Sequence, residues 1–291
     1  MKHRKSDFAG GRRKLYRLLA GISLAGILFF SFFPIVFMLG GSFMRDSERN
    51  RSLAQKGLSG IRFIPEYFVF SQYKRVLIDS PELLCYFWNS VKMTAPILAG
   101  IFVIAPLAGN GLAKYRLPGR RLILAVYIML AILPCQAMLV PNYIVLDRLE
   151  LLGSRQAVWY PYIFNPFGVY LVYRFFSGID EEVLEAARLD GAGEWMIYFR
   201  ISLPQVIPGL ATLLLITMAD AWGMVEQPLL FLKDARQYPL SVAFSSIVTE
   251  NIGMAFAGAV VYMIPILLVF LLTRDYLTEG IEVTAGTVRN G

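Results

Sequence analysis

The sequence predicts an all-α protein that crosses a membrane six times and carries one short polar helix outside the bilayer. Three observations lead there. The chain of 291 residues is 56% apolar and only 17% charged, with a mean hydropathy of +0.55. Its charges are gathered into blocks, unlike the scattered charges of a soluble surface. Between the blocks lie six stretches free of Asp, Glu, Lys and Arg: Leu18–Met44, Met93–Ala113, Leu122–Leu146, Gln156–Tyr173, Ile201–Ala219 and Asn251–Thr273. Each reaches the roughly 18 to 20 residues a helix needs to cross about 30 Å of hydrocarbon. Spans must be helices or closed barrels, and continuous apolar runs suit helices where barrel strands would alternate.

The first stretch follows seven basic residues (Lys2, Arg4, Lys5, Arg12, Arg13, Lys14 and Arg17) and is 27 residues long. A cleaved secretory signal has an apolar core of about 7 to 15 residues, so this one reads as a retained span. The basic cluster, with Lys114, Arg116, Arg120 and Arg121 between the second and third stretches, places those segments in the cytoplasm. With six spans both termini are then cytoplasmic. The loop from Arg45 to Trp88 falls outside, joined there by the Asp147–Arg155 and Glu226–Glu250 connections. The Arg174–Arg200 loop falls inside, with six acids against three bases. Acids contribute little to orientation, and such a loop suits a polar protein partner better than an anionic lipid surface.

The third and second stretches contain Pro96, Pro106, Pro134 and Pro141, which can kink spans where neighbours satisfy the freed carbonyls. Trp159, Tyr160 and Tyr162 open the fourth and suit an interfacial aromatic belt. The outer loop around Phe63–Tyr73 is too apolar for a disordered linker; it can pack over the first span or meet a partner.

Several chemistries lack material. The only histidine, His3, sits in the basic tail, which leaves no His-based metal or proton-relay site. Cys85 and Cys135 belong to an outer loop and the third span and read as separate thiols. No Gly-rich loop precedes a Lys-Ser or Lys-Thr pair; Leu58-Ser59-Gly60 is a chance fragment, so any ATP used is bound elsewhere.

The polar loop has helix signals of its own. Asp180 can act as N-cap, Glu181 and Glu182 occupy the first turn beside the positive dipole end, and Gly191 follows the last turn. Ala186 and Ala187 favour helix and allow close approach. Trp195, Met196, Phe199 and Leu203 then recur at helical spacing before Pro204, giving two short helices that meet at an elbow. Taken alone, these signals also fit an ordinary cytoplasmic hairpin.

Glu185-Ala186-Ala187, Asp190-Gly191-Ala192, Phe199, Ile201 and Leu203-Pro204 resemble the EAA loop of permease subunits in ATP-binding-cassette importers. Asn89-Ser90, Pro228-Leu229-Leu230, Tyr238-Pro239-Leu240 and the Gly280–Gly291 tail are similar to the maltose-type carbohydrate branch. Trp222-Gly223 and Gly109-Asn110-Gly111 depart from that branch, which has Trp-Asn and Ala-Tyr-Ala-like segments there. The resemblance implies the type I ABC importer permease fold, in four parts. Residues 1–17 form a basic tail and 18–87 the first span with its outer loop. Residues 88–278 form the transmembrane core with the EAA loop at 180–204, and 279–291 a cytoplasmic tail.

The same resemblance implies the partners: a second homologous permease, two copies of an ABC ATPase, an extracytoplasmic solute-binding protein, membrane lipid and a carbohydrate substrate, with no nucleic acid. It also implies no cofactor or metal on this chain, ATP and Mg residing on the ATPases, and no catalytic residue. Glu185, Ala186, Ala187, Asp190 and Gly191 would form the joint to the ATPase. A ligand-driven rocking of the spans requires that ATPase binding favour one permease state over another.

Asp220 and Glu226 bracket Trp222 near the end of the fifth stretch, and ionisable groups at such depth are costly enough to mark function. Asp220, Trp222 and Met224 are therefore expected along the substrate path, a contact between Asp220 and a partner subunit being the alternative. An ion-coupled secondary transporter would show paired broken repeats and have no use for the elbow. A channel would show a filter or charged ring, and a membrane enzyme a cluster of catalytic groups at one face.

Overall fold

The computed structural model describes residues 3–54, 63–244 and 251–289, with side chains for 17–52, 63–244 and 251–277. Leu58-Ser59-Gly60, most of the basic tail's side chains and the side chains of the Gly280–Gly291 tail lie outside the described residues. Every regular element among the described residues is helical.

The helices are α1 (His3–Ser42), α2 (Asp46–Ala54), α3 (Ser71–Lys74, running into a wider turn at Arg75–Asp79) and α4 (Pro81–Lys114). Next come α5 (Arg120–Ile132), α6 (Cys135–Arg148), α7 (Gln156–Ile163) and α8 (Pro166–Ser177). Then follow α9 (Glu181–Leu189), α10 (Glu194–Ile197, widening through Tyr198–Ser202), α11 (Leu203–Gln205), α12 (Ile207–Trp222) and α13 (Glu226–Phe231). A short helical piece at residues 240–244 is α14, and α15 is Ile252–Arg289.

Among the described residues, three helices are long and apolar enough to cross a membrane in one piece: Arg17–Ser42 of α1, α4, and Ile252–Leu277 of α15. Two more qualify only as bent pairs, α5 with α6 at 108° and Glu194–Gln205 with α12 at 70°. Three of the six expected stretches are thus single straight helices among the described residues, and two are bent pairs, each a broken span or a re-entrant segment. The fourth apolar stretch is α7 and α8, each too short to cross alone. Pro134 explains the sharper bend, sitting between α5 and α6 with extended φ −58°, ψ 137°. Asn165-Pro166 explains the break in the fourth stretch: the Asn165 side chain accepts the Phe167 N–H at 2.9 Å and Pro166 opens α8. Pro96 and Pro106 lie inside α4 and do not interrupt it.

The chain divides into two compact units. The first comprises Met1–Ser80 with Ile247–Val261, the second Pro81–Ser246 with Tyr262–Gly291. In the first, Phe63 stands edge-on to Phe33 and Phe37, and Phe37 to Phe256. Phe43 gathers Phe68, Phe70 and Tyr73. The apolar segment around Phe63–Tyr73 therefore packs on the end of α1, as its composition requires. Beside it Asp46 binds Arg49, Arg75 and Gln72, and the buried Arg49 side chain lies over Gly253, where any Cβ would collide with its guanidinium.

In the second unit α4 is the central rod, packed by α7, α8 and α12, while α5 packs on α8. One buried cluster joins Ile101, Val172, Phe176, Leu184, Ile197 and Leu213. Another joins Met93, Ile97, Ala157, Val158, Ala221 and Phe231. Small residues set the closest approaches, as expected where lipid removes most hydrophobic drive between helices. A Cβ on Gly109 would stand 2.9 Å from the Tyr173 backbone nitrogen, so this glycine lets α4 and α8 touch.

Candidate functional site

The elbow is built by the sequence that signals it. Helix α9 stops at Asp190, and Gly191 turns left-handed at φ 84°. The Gly191 N–H bonds the Arg188 carbonyl and the Ala192 N–H bonds the Ala187 carbonyl, both at 3.0 Å, closing a Schellman motif. Asp180 takes the N-cap place, yet its side chain makes no capping bond. Leu184 is buried and Ala187 packs on the core, which seats one face of α9. Glu185, Ala186, Asp190 and Gly191 are exposed on the other.

Charged contacts hold this elbow against the end of α4. Lys114 donates to the Ile179 carbonyl at 2.7 Å and reaches Glu181 at 3.5 Å. The Tyr115 hydroxyl bonds Glu194 at 3.1 Å, and the other Glu194 oxygen accepts from Arg188 Nε at 2.9 Å. Arg188 also reaches Glu181 at 3.5 Å, so one guanidinium joins both arms of the elbow. Burial lifts the Tyr115 hydroxyl above its ordinary pKa, and Glu194 adds to that. Tyr115 therefore stays protonated and able to donate.

The elbow also exposes large apolar side chains: Leu189 at 89%, Trp195 at 68%, Phe199 at 57% and Met196 at 50% of full accessibility. Trp195 stacks on Phe199 with centroids 6.0 Å apart, making one continuous aromatic face. A contiguous apolar patch with a charged rim marks a surface that meets a protein or a membrane.

A cavity of about 800 Å³ opens among α5, α6, α7, α8, α12 and α13. The bends make it: Leu133 and Cys135 flank Pro134 on one side, and Phe164-Asn165-Pro166 breaks the wall on another. Asp220 and Met224 line it together with Glu226. Trp222 does not. Its side chain is 2% exposed, faces Phe87 at 5.6 Å and Tyr262 at 5.6 Å, and donates its indole N–H to the Tyr262 carbonyl at 3.0 Å. Of the three residues expected along the path, two share the cavity and the third holds two helices together. Tyr162, read above as part of an interfacial belt, lines the cavity, as do Asn142, Asn165 and Gln227. The legible signals for these were an amide inside an apolar stretch and the Asn-Pro helix start.

Two other recurring segments meet each other. Asn89 donates to the Arg236 carbonyl at 2.7 Å and the Tyr238 carbonyl at 3.1 Å, and Ser90 accepts the Leu240 N–H at 2.9 Å. Arg155 completes the knot by donating to Asn89 at 3.2 Å. The Asn-Ser pair therefore satisfies backbone groups that a buried loop would otherwise leave open.

Bent apolar helices around a cavity, with a protruding elbow carrying charge and an apolar face, are the features of a membrane transport subunit. Residues 85–279 match the family described as the binding-protein-dependent transport system inner membrane component, and the chain belongs to it. It is similar to the arabinooligosaccharides transport system permease protein AraQ of Halalkalibacterium halodurans, 25% identical over 91% of this chain and 94% of that protein. It is also similar to the maltose/maltodextrin transport system permease protein MalG of Escherichia coli K12, 29% identical over 82% of this chain and 87% of that one. Its fold matches a solved bacterial ABC transporter involved in the import of the acidic polysaccharide alginate, with a TM-score of 0.77 at 21% identity, covering 91% of this chain and 97% of the other.

Proposed function

We propose that this chain is one of two homologous permeases in an ATP-binding-cassette importer and forms half of a carbohydrate path. The observation that carries the reading is the elbow: a salt-bridged turn whose exposed side is a Trp195–Phe199 face beside exposed Leu189. Glu185, Ala186, Ala187, Asp190 and Gly191 dock this elbow on one of two ATPase copies, which hold ATP and Mg. A solute-binding protein delivers the sugar from the other side. Both termini lie in the cytoplasm, as the basic tail and Lys114–Arg121 segment favour.

Closure of the ATPases pulls the elbow, and the elbow is linked to α4 through Lys114 and Tyr115. Because α4 packs on α7, α8 and α12, displacement at its end reaches the cavity walls. Tight packing makes such a bundle switch between arrangements rather than deform continuously. The curated relatives named for arabinooligosaccharides and maltodextrins support a carbohydrate as cargo.

Co-purification tests the reading. The tagged chain, expressed with its neighbouring subunits, retains an ATPase, and Leu189→Asp with Trp195→Asp releases it while leaving the permease pair in the membrane. An active chain that imports sugar alone, driven by an ion gradient, overturns the proposal.

A further inference from the structure

The cavity has an electrostatic character that the fold does not dictate. Its acidic side chains are Asp220 and Glu226, and no Lys or Arg is among its lining residues. Both acids are exposed, and neither forms an ion pair among the described residues. An ionised carboxylate only accepts hydrogen bonds, so it suits hydroxyl donors and repels another carboxylate. That repulsion is stronger in a partly apolar cavity than in water.

The rest of the lining completes a sugar-compatible surface. Asn142 and Gln227 supply amides that both donate and accept, and Tyr162, Phe164 and Phe167 supply ring faces for the apolar side of a pyranose. The Asn165 side-chain oxygen already accepts the Phe167 N–H, and its amide donors remain for a ligand. A path must also bind its cargo weakly enough to release it. An uncharged polyol meets hydrogen bonds alone.

We infer that this cavity passes uncharged oligosaccharides and excludes uronate-type anionic ones, with Asp220 and Glu226 as the charge-selecting residues. The inference rests on the transport reading above and narrows its substrate class. It separates this chain from a transporter of acidic polysaccharide, whose fold it shares at 21% identity.

Cys135 lines the same cavity and is a free thiol, so the protein carries its own probe. With Cys85→Ser, Cys135 is the single cysteine of the chain. In the assembled importer, reconstituted in vesicles with cysteine-free partners, Cys135 is modified by a cationic and by an anionic methanethiosulfonate, each rate divided by that of a small free thiol. The cationic reagent reacts at least tenfold faster, and Asp220→Asn with Glu226→Gln brings the ratio close to one. Equal rates in the unsubstituted cavity, or no reaction with either reagent, overturn the inference. In the second arm, neutral oligosaccharides of two to four units slow the modification and galacturonate oligomers of the same length do not. Equal protection by both overturns the inference. A cationic preference without protection by any sugar defeats the carbohydrate reading and leaves the charge assignment standing.

Discussion

Trp222 and Tyr262 bind each other's backbone: the indole N–H donates to the Tyr262 carbonyl at 3.0 Å, and the Tyr262 hydroxyl donates to the Trp222 carbonyl at 2.6 Å. Trp222 is the last residue of α12, so the tyrosine satisfies one of the carbonyls that a helix end leaves open. The pair joins α12 to α15 one turn away from the cavity-lining Met224 and Asp220.

Tyr262→Phe removes one of these bonds and keeps the ring. Polar contacts between helices in membranes average about 0.6 kcal/mol and reach about 1.7, so the variant loses stability within that range. Thermal unfolding of the detergent-solubilised complex measures it. A double cycle with Trp222→Phe shows coupling between the two positions, and simple additivity contradicts the pairing.

Gly191→Val places a β-branched residue at φ 84°, where left-handed backbone costs about 1–2 kcal/mol. A Cβ there meets open space, so the penalty is conformational and not a clash. Uptake per ATP hydrolysed falls while the protein still inserts, and Gly191→Asn is milder because asparagine tolerates this region. Equal effects of the valine and asparagine variants argue against a role for the backbone turn.

Gly109→Val wedges α4 from α8, because the neighbour at 2.9 Å is backbone and has little room to yield. Overpacking of this kind costs about 1–3 kcal/mol. Gly111→Ala, with nothing within 4 Å, serves as the control and leaves the melting temperature unchanged or slightly raised.

Asp46 predicts an acid-sensitive corner in the first unit. Burial opposes its ionisation, but hydrogen bonds from Arg49, Arg75 and Gln72 and the Arg49 charge outweigh that, holding its carboxyl below the ordinary 3.8. Its folded pKa is depressed, so its contribution is complete above 3.8 and is lost as pH falls through the lower folded value. Proteolysis of the segment around α2 and α3 increases over that acid window, and Asp46→Asn removes the pH dependence.

The sequence told most about elements whose cause is local. The elbow was legible because Gly191, the Ala pair and the acids of the first turn act within one helix. The helical membrane class was equally legible from charge-free stretches. Bends were harder: Pro96, Pro106, Pro134 and Pro141 look alike in sequence, yet Pro134 alone among them stands at a break, since neighbouring helices decide which kinks open. The cavity was half readable. Asp220 stood out as a costly acid, but Asn142, Tyr162 and Asn165 reach it from other helices brought together by those bends. Trp222 looked like a ligand-facing aromatic because composition cannot show that Phe87 and Tyr262 enclose it.

The most direct measurement is cross-linking from the elbow in the assembled importer. Leu189→Cys or Ala186→Cys, paired with cysteines on the groove-forming surface of the ATPase, forms a covalent link whose yield changes when ATP is added. Failure of both positions to link to the ATPase, together with their labelling by an impermeant thiol reagent from outside the cell, contradicts the account.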